Sequence, residues 1–78
     1  MIIKILGTGC AKCKMLEENA RKAIEQLPDV TVEKVTDLNK IIDYGVMMTP
    51  ALVIDEEVVS VGKVLSPEKI RDLMADKA

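Results

Sequence analysis

The only two cysteines of the chain, Cys10 and Cys13, stand two residues apart in the stretch "ILGTGCAKCK". A pair at this spacing can exchange electrons through a disulfide, bind a soft metal ion, or simply pack in the interior. The stretch follows a short apolar run and precedes a segment in which apolar residues recur with helical spacing. The two cysteines are therefore predicted to lie where a strand passes into a helix.

The two cysteines are expected to differ in accessibility and in role. The N-terminus of a helix offers unpaired N–H groups and a partial positive charge, which favour the nucleophilic thiolate at Cys10. Lys12 and Lys14 add positive charge nearby. Cys13 lies one turn further along, within the apolar stripe, and is expected to be shielded. These positions favour attack on a disulfide by Cys10 and resolution by Cys13.

The elements around this pair follow from hydrophobic spacing and from turn residues. Ser66 is expected to cap the last helix with Pro67 in its first position, and Thr36 or Asp37 to cap a short helix that Gly45 ends. The predicted strands cover residues 2–6, 30–35, 51–54 and 58–61, and the first helix covers residues 10–27, with an apolar stripe of Cys13, Leu16, Ala20, Ala23, Ile24 and Leu27.

The order of these elements, β-α-β-α-β-β-α, predicts an α/β fold in one domain spanning residues 1–78. A crossover through the first helix makes the first two strands parallel, and the closing hairpin adds two antiparallel neighbours. The expected result is a four-stranded mixed sheet with helices on both faces. Tyr44 is the only aromatic residue, so the core must consist of Ile, Val, Leu, Met and Ala.

Composition narrows the classes of function. Acidic and basic residues are interspersed, with a net charge of -2, and no basic block predicts nucleic-acid binding. No apolar run is long enough to span a membrane, and the start "MIIKIL" lacks the features of a signal peptide. We therefore expect no membrane partner and a cytoplasmic location, where cysteine pairs are more often catalytic or metal-binding than structural. The chain has no His, the commonest general base and nitrogen ligand.

The segments "GTGCAKC" and "VMMTPALVI", the glycine of "SVGK" and the element order together resemble the thioredoxin-like superfamily. More narrowly, the chain resembles its small, glutaredoxin-sized members of archaea and bacteria, over essentially its whole length. The resemblance implies a thiol–disulfide oxidoreductase in which Cys10 attacks and Cys13 resolves. It implies no cofactor beyond the redox-active disulfide, and as partners disulfide-containing protein substrates and a separate disulfide reductase. The protein is expected to act as a monomer.

The resemblance also implies a substrate-binding groove beside the cysteines. Pro50 would be cis and would pack against the disulfide, the backbone of Thr49 would pair with a bound substrate segment, and Gly62 would line the same groove. The substrate-binding residues expected on this basis are Gly9, Ala11, Lys12, Met48, Thr49, Pro50 and Gly62.

Three departures separate this chain from the larger thioredoxins. Gly9 stands where they carry a Trp, and Ala11-Lys12 replaces their Gly-Pro between the cysteines. Lys4 occupies the place of a buried acid. Two hypotheses apply to Lys4: its ammonium reaches solvent at the strand end, or it lies near the cysteines and stabilises their thiolates.

Two other interpretations of the cysteine pair remain open. A soft-metal carrier for Cu(I) or Zn would use the two thiolates as ligands. Such carriers resemble G-M-x-C-x-x-C and end in a strand, whereas here Thr8 replaces the Met and the chain ends in a predicted helix. A non-catalytic binding or regulatory module would use the flexible side chains of Met47 and Met48 to dock partners, although we expect one of the two to fill the core. In the favoured interpretation no residue is predicted to bind a metal ion.

Overall fold

Seven elements follow one another in the order that the sequence predicts. The computed structural model describes residues 1–77. Its strands are β1 (Ile2–Leu6), β2 (Thr31–Val35), β3 (Ala51–Ile54) and β4 (Glu57–Val61), and its helices are α1 (Ala11–Ala23), α2 (Leu38–Asp43) and α3 (Pro67–Lys77). No helix in this part of the chain combines the length and hydropathy that crossing a membrane would require.

The sheet brings the glycine-containing segment that follows β1 and the proline-containing segment that precedes β3 to the same end of the sheet. Its order is β2-β1-β3-β4, with β1 parallel to β2 and antiparallel to β3, and β3 antiparallel to β4. The prediction of a four-stranded mixed sheet is therefore confirmed. Leu6 at the end of β1 pairs with Ala51 at the start of β3. The loop that follows β1 consequently lies beside the segment that precedes β3.

Both faces of the sheet are covered by helices, as predicted. Ile3 and Ile5 of β1 pack on one face against buried residues of α1 and α3, among them Leu16 and Ile70. On the other face, Leu6 and Val53 pack in a second cluster that includes Ile41 of α2. Alternate residues of β1 thus contribute to opposite clusters, as the twofold periodicity of a strand requires. Burial of each such aliphatic side chain stabilises the fold by about 1.5–3 kcal/mol relative to exposure.

Helix α1 is shorter than the predicted helix over residues 10–27. It ends at Ala23, and Ile24 is its C-cap. Beyond it the chain forms successive short turns, in which the N–H of Leu27 donates to the carbonyl of Ile24 at 2.8 Å. Leu27, expected on the buried stripe, is 40% exposed. Pro28 has no N–H to donate to the carbonyl of Ile24, and in a helix its ring would clash with that carbonyl. The apolar spacing therefore continues beyond the residue at which the helix ends.

The other helix starts follow the predicted capping chemistry. The Oγ of Ser66 accepts from the N–H of Lys69 at 3.2 Å, and Pro67 occupies the first position of α3. Asp37, and not Thr36, caps α2, because its carboxylate accepts from the N–H of Asn39 at 2.9 Å.

The hairpin between β3 and β4 closes through two residues. Asp55 and Glu56 have φ angles of 48° and 70°. Left-handed backbone at both central positions is typical of the tight turns that match the twist of a hairpin, although Asn-Gly would adopt it at lower cost. Strand β4 accordingly begins at Glu57, one residue before the predicted strand over residues 58–61.

Candidate active site

Cys10 is the N-cap of α1, so the sequence prediction that the helix opens at this residue is correct to within one position. Its backbone is extended, with φ -68° and ψ 165°, and its carbonyl accepts from the N–H of Lys14 at 3.1 Å. Gly9 precedes it with a φ of 94°, left-handed backbone that glycine adopts without strain. Gly9, Cys10, Ala11 and Lys12 are all exposed, which makes the start of α1 an accessible surface.

The sulfur of Cys10 lies where the side-chain oxygen of a Ser or Asp N-cap would lie. Its Sγ accepts from the N–H of Cys13 at 3.2 Å. The first turn of α1 contains no acidic residue, whereas Lys12 and Lys14 flank Cys13. In the reduced protein, this donor, the helix dipole and the two ammonium groups all favour negative charge on the Cys10 sulfur.

The two cysteines form a disulfide, and they differ in exposure as the sequence predicts. Their Cα atoms are 5.0 Å apart, within the ordinary range for disulfides. Cys10 is exposed, whereas Cys13 is only 5% exposed and lies on the inner stripe of α1 with Leu16 and Ala20. A substrate disulfide can therefore reach Cys10 but not Cys13.

Gly7, which the sequence pattern indicates only as the end of a strand, also belongs to the site. It is buried, and a Cβ atom placed on it would overlap the Sγ of Cys13 and lie 3.0 Å from its Cβ. The same Cβ would lie 4.0 Å from the Cβ of Thr49. Gly7 thus lets the disulfide and the Thr49 segment approach one another. A glycine directly after a buried strand is a signal for such close approach.

The segment before β3 completes the surroundings of the disulfide. The Thr49-Pro50 peptide bond is cis, and Pro50 is buried. The carbonyl of Pro50 accepts from the N–H of Gly62 at 2.7 Å, which fixes the end of β4 to this segment. Thr49 is exposed, and within residues 1–77 its backbone forms no hydrogen bond with another backbone group.

Met47 and Met48 both lie on the surface, so the expectation that one of them fills the core is wrong. Met47 is 97% exposed and Met48 is 63% exposed. A Cβ atom placed on Gly62 would lie 3.4 Å from the Cε of Met48, so the two residues are neighbours. The segment from Val46, which is buried, to Pro50 therefore presents two flexible apolar side chains at the surface, one of them beside Gly62.

Lys4 lies away from the cysteines. Its ammonium donates to the hydroxyl of Tyr44 at 3.0 Å and forms an ion pair with Glu56 in the β3–β4 turn. That turn follows the end of β3 opposite to Pro50. The hydrogen bonds that the Lys4 ammonium donates to Glu56 and Tyr44 raise the pKa of Lys4 above its usual range, and the same ammonium lowers the pKa of Glu56. The structure does not favour an ammonium beside the thiolates. The Lys4 ammonium reaches the surface, as the other hypothesis expects, but there it is paired with Glu56 and Tyr44.

The described residues, 1–77, contain no cluster of three or more His, Cys, Asp or Glu side chains that could hold a metal ion. The disulfide lies instead beside Gly7 and the Thr49 segment, which leads into a cis proline that a metal carrier has no use for. The soft-metal carrier is therefore not the favoured interpretation.

Comparison with known proteins gives one consistent result. Residues 1–75 match the family model described as a thioredoxin domain. A thioredoxin of Methanothermobacter thermautotrophicus is 41% identical over 76 residues, which cover 96% of this chain and 99% of the relative. A thioredoxin of Methanocaldococcus jannaschii is 42% identical over 73 residues, covering 92% of this chain and 84% of the relative. The similarity therefore extends along nearly the whole chain.

Proposed function

Because the chain belongs to the thioredoxin family, we propose that Cys10 is its attacking nucleophile and Cys13 its resolving cysteine. The protein is a thiol–disulfide oxidoreductase. The observation that supports this division of roles is the position of the Cys10 sulfur, exposed at the start of α1 and within 3.2 Å of the Cys13 N–H. Cys13, by contrast, is buried and accessible only to its partner sulfur.

The proposed reaction transfers two electrons from the protein to its substrate. The Cys10 thiolate attacks one sulfur of a substrate disulfide, which breaks that bond, forms a mixed disulfide and releases the other substrate sulfur as a thiolate that takes up a proton. Cys13 then loses its proton and attacks the Cys10 sulfur. This second step releases the remaining substrate sulfur and leaves the Cys10–Cys13 disulfide.

Substrate recognition is proposed to occur in the groove beside the disulfide. The exposed backbone of Thr49 would pair with an extended substrate segment, because its hydrogen-bonding groups have no backbone partner within residues 1–77. Met48 and Gly62 would line the groove, and Pro50 would form its floor against the disulfide. Gly9, Ala11 and Lys12, at the start of α1, would contact the substrate from the other side of the disulfide.

The partners proposed are disulfide-containing proteins and a separate reductase that regenerates the dithiol. A single chain carries both cysteines and the groove, so we propose that it acts as a monomer in the cytoplasm. No cofactor other than the redox-active disulfide is required by this reaction.

An insulin-reduction assay tests the proposed function. Dithiothreitol should reduce the Cys10–Cys13 disulfide, and the protein should pass the electrons to insulin faster than dithiothreitol does alone. A binding module without activity would leave the rate of insulin reduction at the dithiothreitol value. A carrier would instead retain stoichiometric Cu(I) against a competing chelator, and the oxidoreductase should not.

A further inference from the structure

The surface around the disulfide has a charge opposite to that of the whole chain. Three segments lie at the end of the sheet that carries the disulfide: residues 8–15 contain both cysteines, residues 46–50 lead into β3, and residues 61–64 begin at the last residue of β4, where the Gly62 N–H donates to the Pro50 carbonyl. They contain three lysines, Lys12, Lys14 and Lys63, and none of the chain's 13 acidic residues. The chain as a whole has a net charge of -2. The acidic residues that give the protein its negative charge therefore all lie outside these segments.

The three lysines, which we call the basic rim, are exposed and available. Lys12 and Lys14 lie in the first turns of α1, and Lys63 follows Gly62 at the end of β4. Within the described residues, 1–77, none of the three forms an ion pair, whereas Lys4, Lys34 and Lys77 all do. The basic rim thus adds positive charge from two separate elements to the end of the sheet where the disulfide lies.

The centre of the same surface is apolar and adaptable. Met47 and Met48 are exposed beside Gly62, and no charged residue occupies the segment from Val46 to Pro50. Flexible methionine side chains repack around different partners and impose little sequence preference. The apolar part of this surface is therefore expected to discriminate little among substrates, in contrast to the charges of the basic rim.

We propose that the basic rim selects protein substrates whose reducible disulfide is flanked by acidic residues. This inference rests on the proposed role of Cys10, since it concerns the same groove. Exposed ion pairs contribute little to affinity, but complementary charge raises association rates by tenfold or more at low ionic strength. Disulfide exchange with a protein substrate begins with such an encounter. We therefore expect the selectivity to appear in the second-order rate constant for reduction of the substrate disulfide. This selectivity should decrease as the salt concentration rises.

Three disulfide-bonded peptides that share one core sequence test the proposal. Their cysteines are flanked by Asp, by Ser or by Lys, and their reduction by the reduced protein is followed at low salt and at about 1 M salt. We expect the Asp-flanked peptide to react about tenfold faster than the Lys-flanked one at low salt, with a ratio that contracts at high salt.

Variants separate the effect of the rim from the intrinsic reactivity of each peptide. In the double variant Lys12→Gln/Lys63→Gln, the Asp-to-Lys rate ratio should fall several-fold. The matched control, Lys22→Gln/Lys69→Gln, removes the same charge from exposed sites outside the three segments and should retain the ratio. If a substitution changes the intrinsic reactivity of Cys10, the reduction rates of all three peptides change by the same factor. Such a change therefore cancels in the ratio of the Asp-flanked to the Lys-flanked rate. Equal ratios in the two double variants would overturn the proposal, whereas failure to reduce the Ser-flanked peptide would overturn the proposed role of Cys10 itself.

Discussion

The sulfur of Cys13 packs against the backbone of Gly7 so closely that no side chain fits between them. A Cβ atom on Gly7 would overlap this sulfur and lie 3.0 Å from the Cβ of Cys13. Gly7 has no positive φ, so its requirement arises from contact and not from backbone conformation. Gly7 and Cys13 are both buried, and Gly7 directly follows β1, which is hydrogen-bonded on both sides to β2 and β3. A shift of Gly7 would therefore disturb the core.

We therefore predict that Gly7→Ala displaces Cys13 and lowers both stability and activity. Overpacking of this kind costs about 1–3 kcal/mol. Denaturant unfolding of the oxidised protein measures the loss, and insulin reduction measures the effect on the cysteine pair. Thr8→Ala, at the adjacent exposed position, should change neither quantity. Wild-type stability and wild-type rate in Gly7→Ala would show that the contact is unimportant.

Lys4 is predicted to support the fold without affecting the redox chemistry. Its ammonium joins Tyr44 and Glu56 at the end of β3 remote from Pro50. Lys4→Met should thus lower the free energy of unfolding while leaving the insulin-reduction rate unchanged. Tyr44→Phe, which removes one hydroxyl from the same cluster, should have a smaller effect on stability. A changed redox potential or rate in Lys4→Met would contradict this placement.

The cluster of Lys4, Tyr44 and Glu56 also makes the difference in stability between wild type and Lys4→Met depend on pH. Folding lowers the pKa of Glu56, so its contribution is present above the ordinary carboxyl value and is lost as pH falls through the lowered one. Folding also raises the pKa of Lys4, which stays charged throughout the neutral and acid range, so in acid the pair weakens only because Glu56 takes up a proton. The gap in stability between wild type and Lys4→Met should accordingly narrow in acid.

Glu17 provides a second, independent pH-dependent contribution. Its carboxylate accepts from Arg21 at 2.8 Å and lies 3.5 Å from the ammonium of Lys34, which links α1 to β2. These partners, Arg21 foremost, hold the pKa of Glu17 below its usual range. Because the folded pKa is the lower one, the contribution is complete above the unfolded value near 4.3 and is lost as pH falls through the folded value.

Glu17→Gln is therefore expected to destabilise the protein by about 0.5 kcal/mol near neutral pH, and not at all below the lowered pKa. Denaturant unfolding at a series of pH values measures this difference. Glu18→Gln is the matched control on the same helix, since Glu18 forms no ion pair within residues 1–77. A destabilisation by Glu17→Gln that is independent of pH would point to lost packing instead of lost charge.

The strands and the cysteine pair were predictable because local signals there agree with the tertiary structure. Residues 2–6 and 51–54 are apolar runs bounded by turn residues, and β1 and β3 have these bounds in the structure. The C-x-x-C spacing after a strand, with Thr-Pro before another, indicated the fold and the accessible cysteine. The end of α1 was missed because apolar spacing continues to Leu27 although Pro28 prevents the helix from following it.

Long-range contacts explain the other differences between the site predicted from the sequence and the site in the structure. Nothing local indicates that the Lys4 ammonium meets groups 40 and 52 residues away. Likewise, the closeness of Gly7 to Cys13 depends on how α1 packs against the end of β1. No local signal distinguishes Met47 and Met48, which are exposed, from Val46, which is buried in the same segment.

Trapping of a substrate by single-cysteine variants tests the central claim most directly. Each variant is reduced, mixed with a disulfide-containing protein and resolved by mass under non-reducing conditions. Cys13→Ser should accumulate a stable mixed disulfide through the exposed Cys10, because no second thiol remains to release the substrate. Cys10→Ser should accumulate little, since Cys13 is only 5% exposed. Equal trapping by the two variants, or trapping mainly by Cys10→Ser, would contradict the assignment of attacking and resolving cysteines.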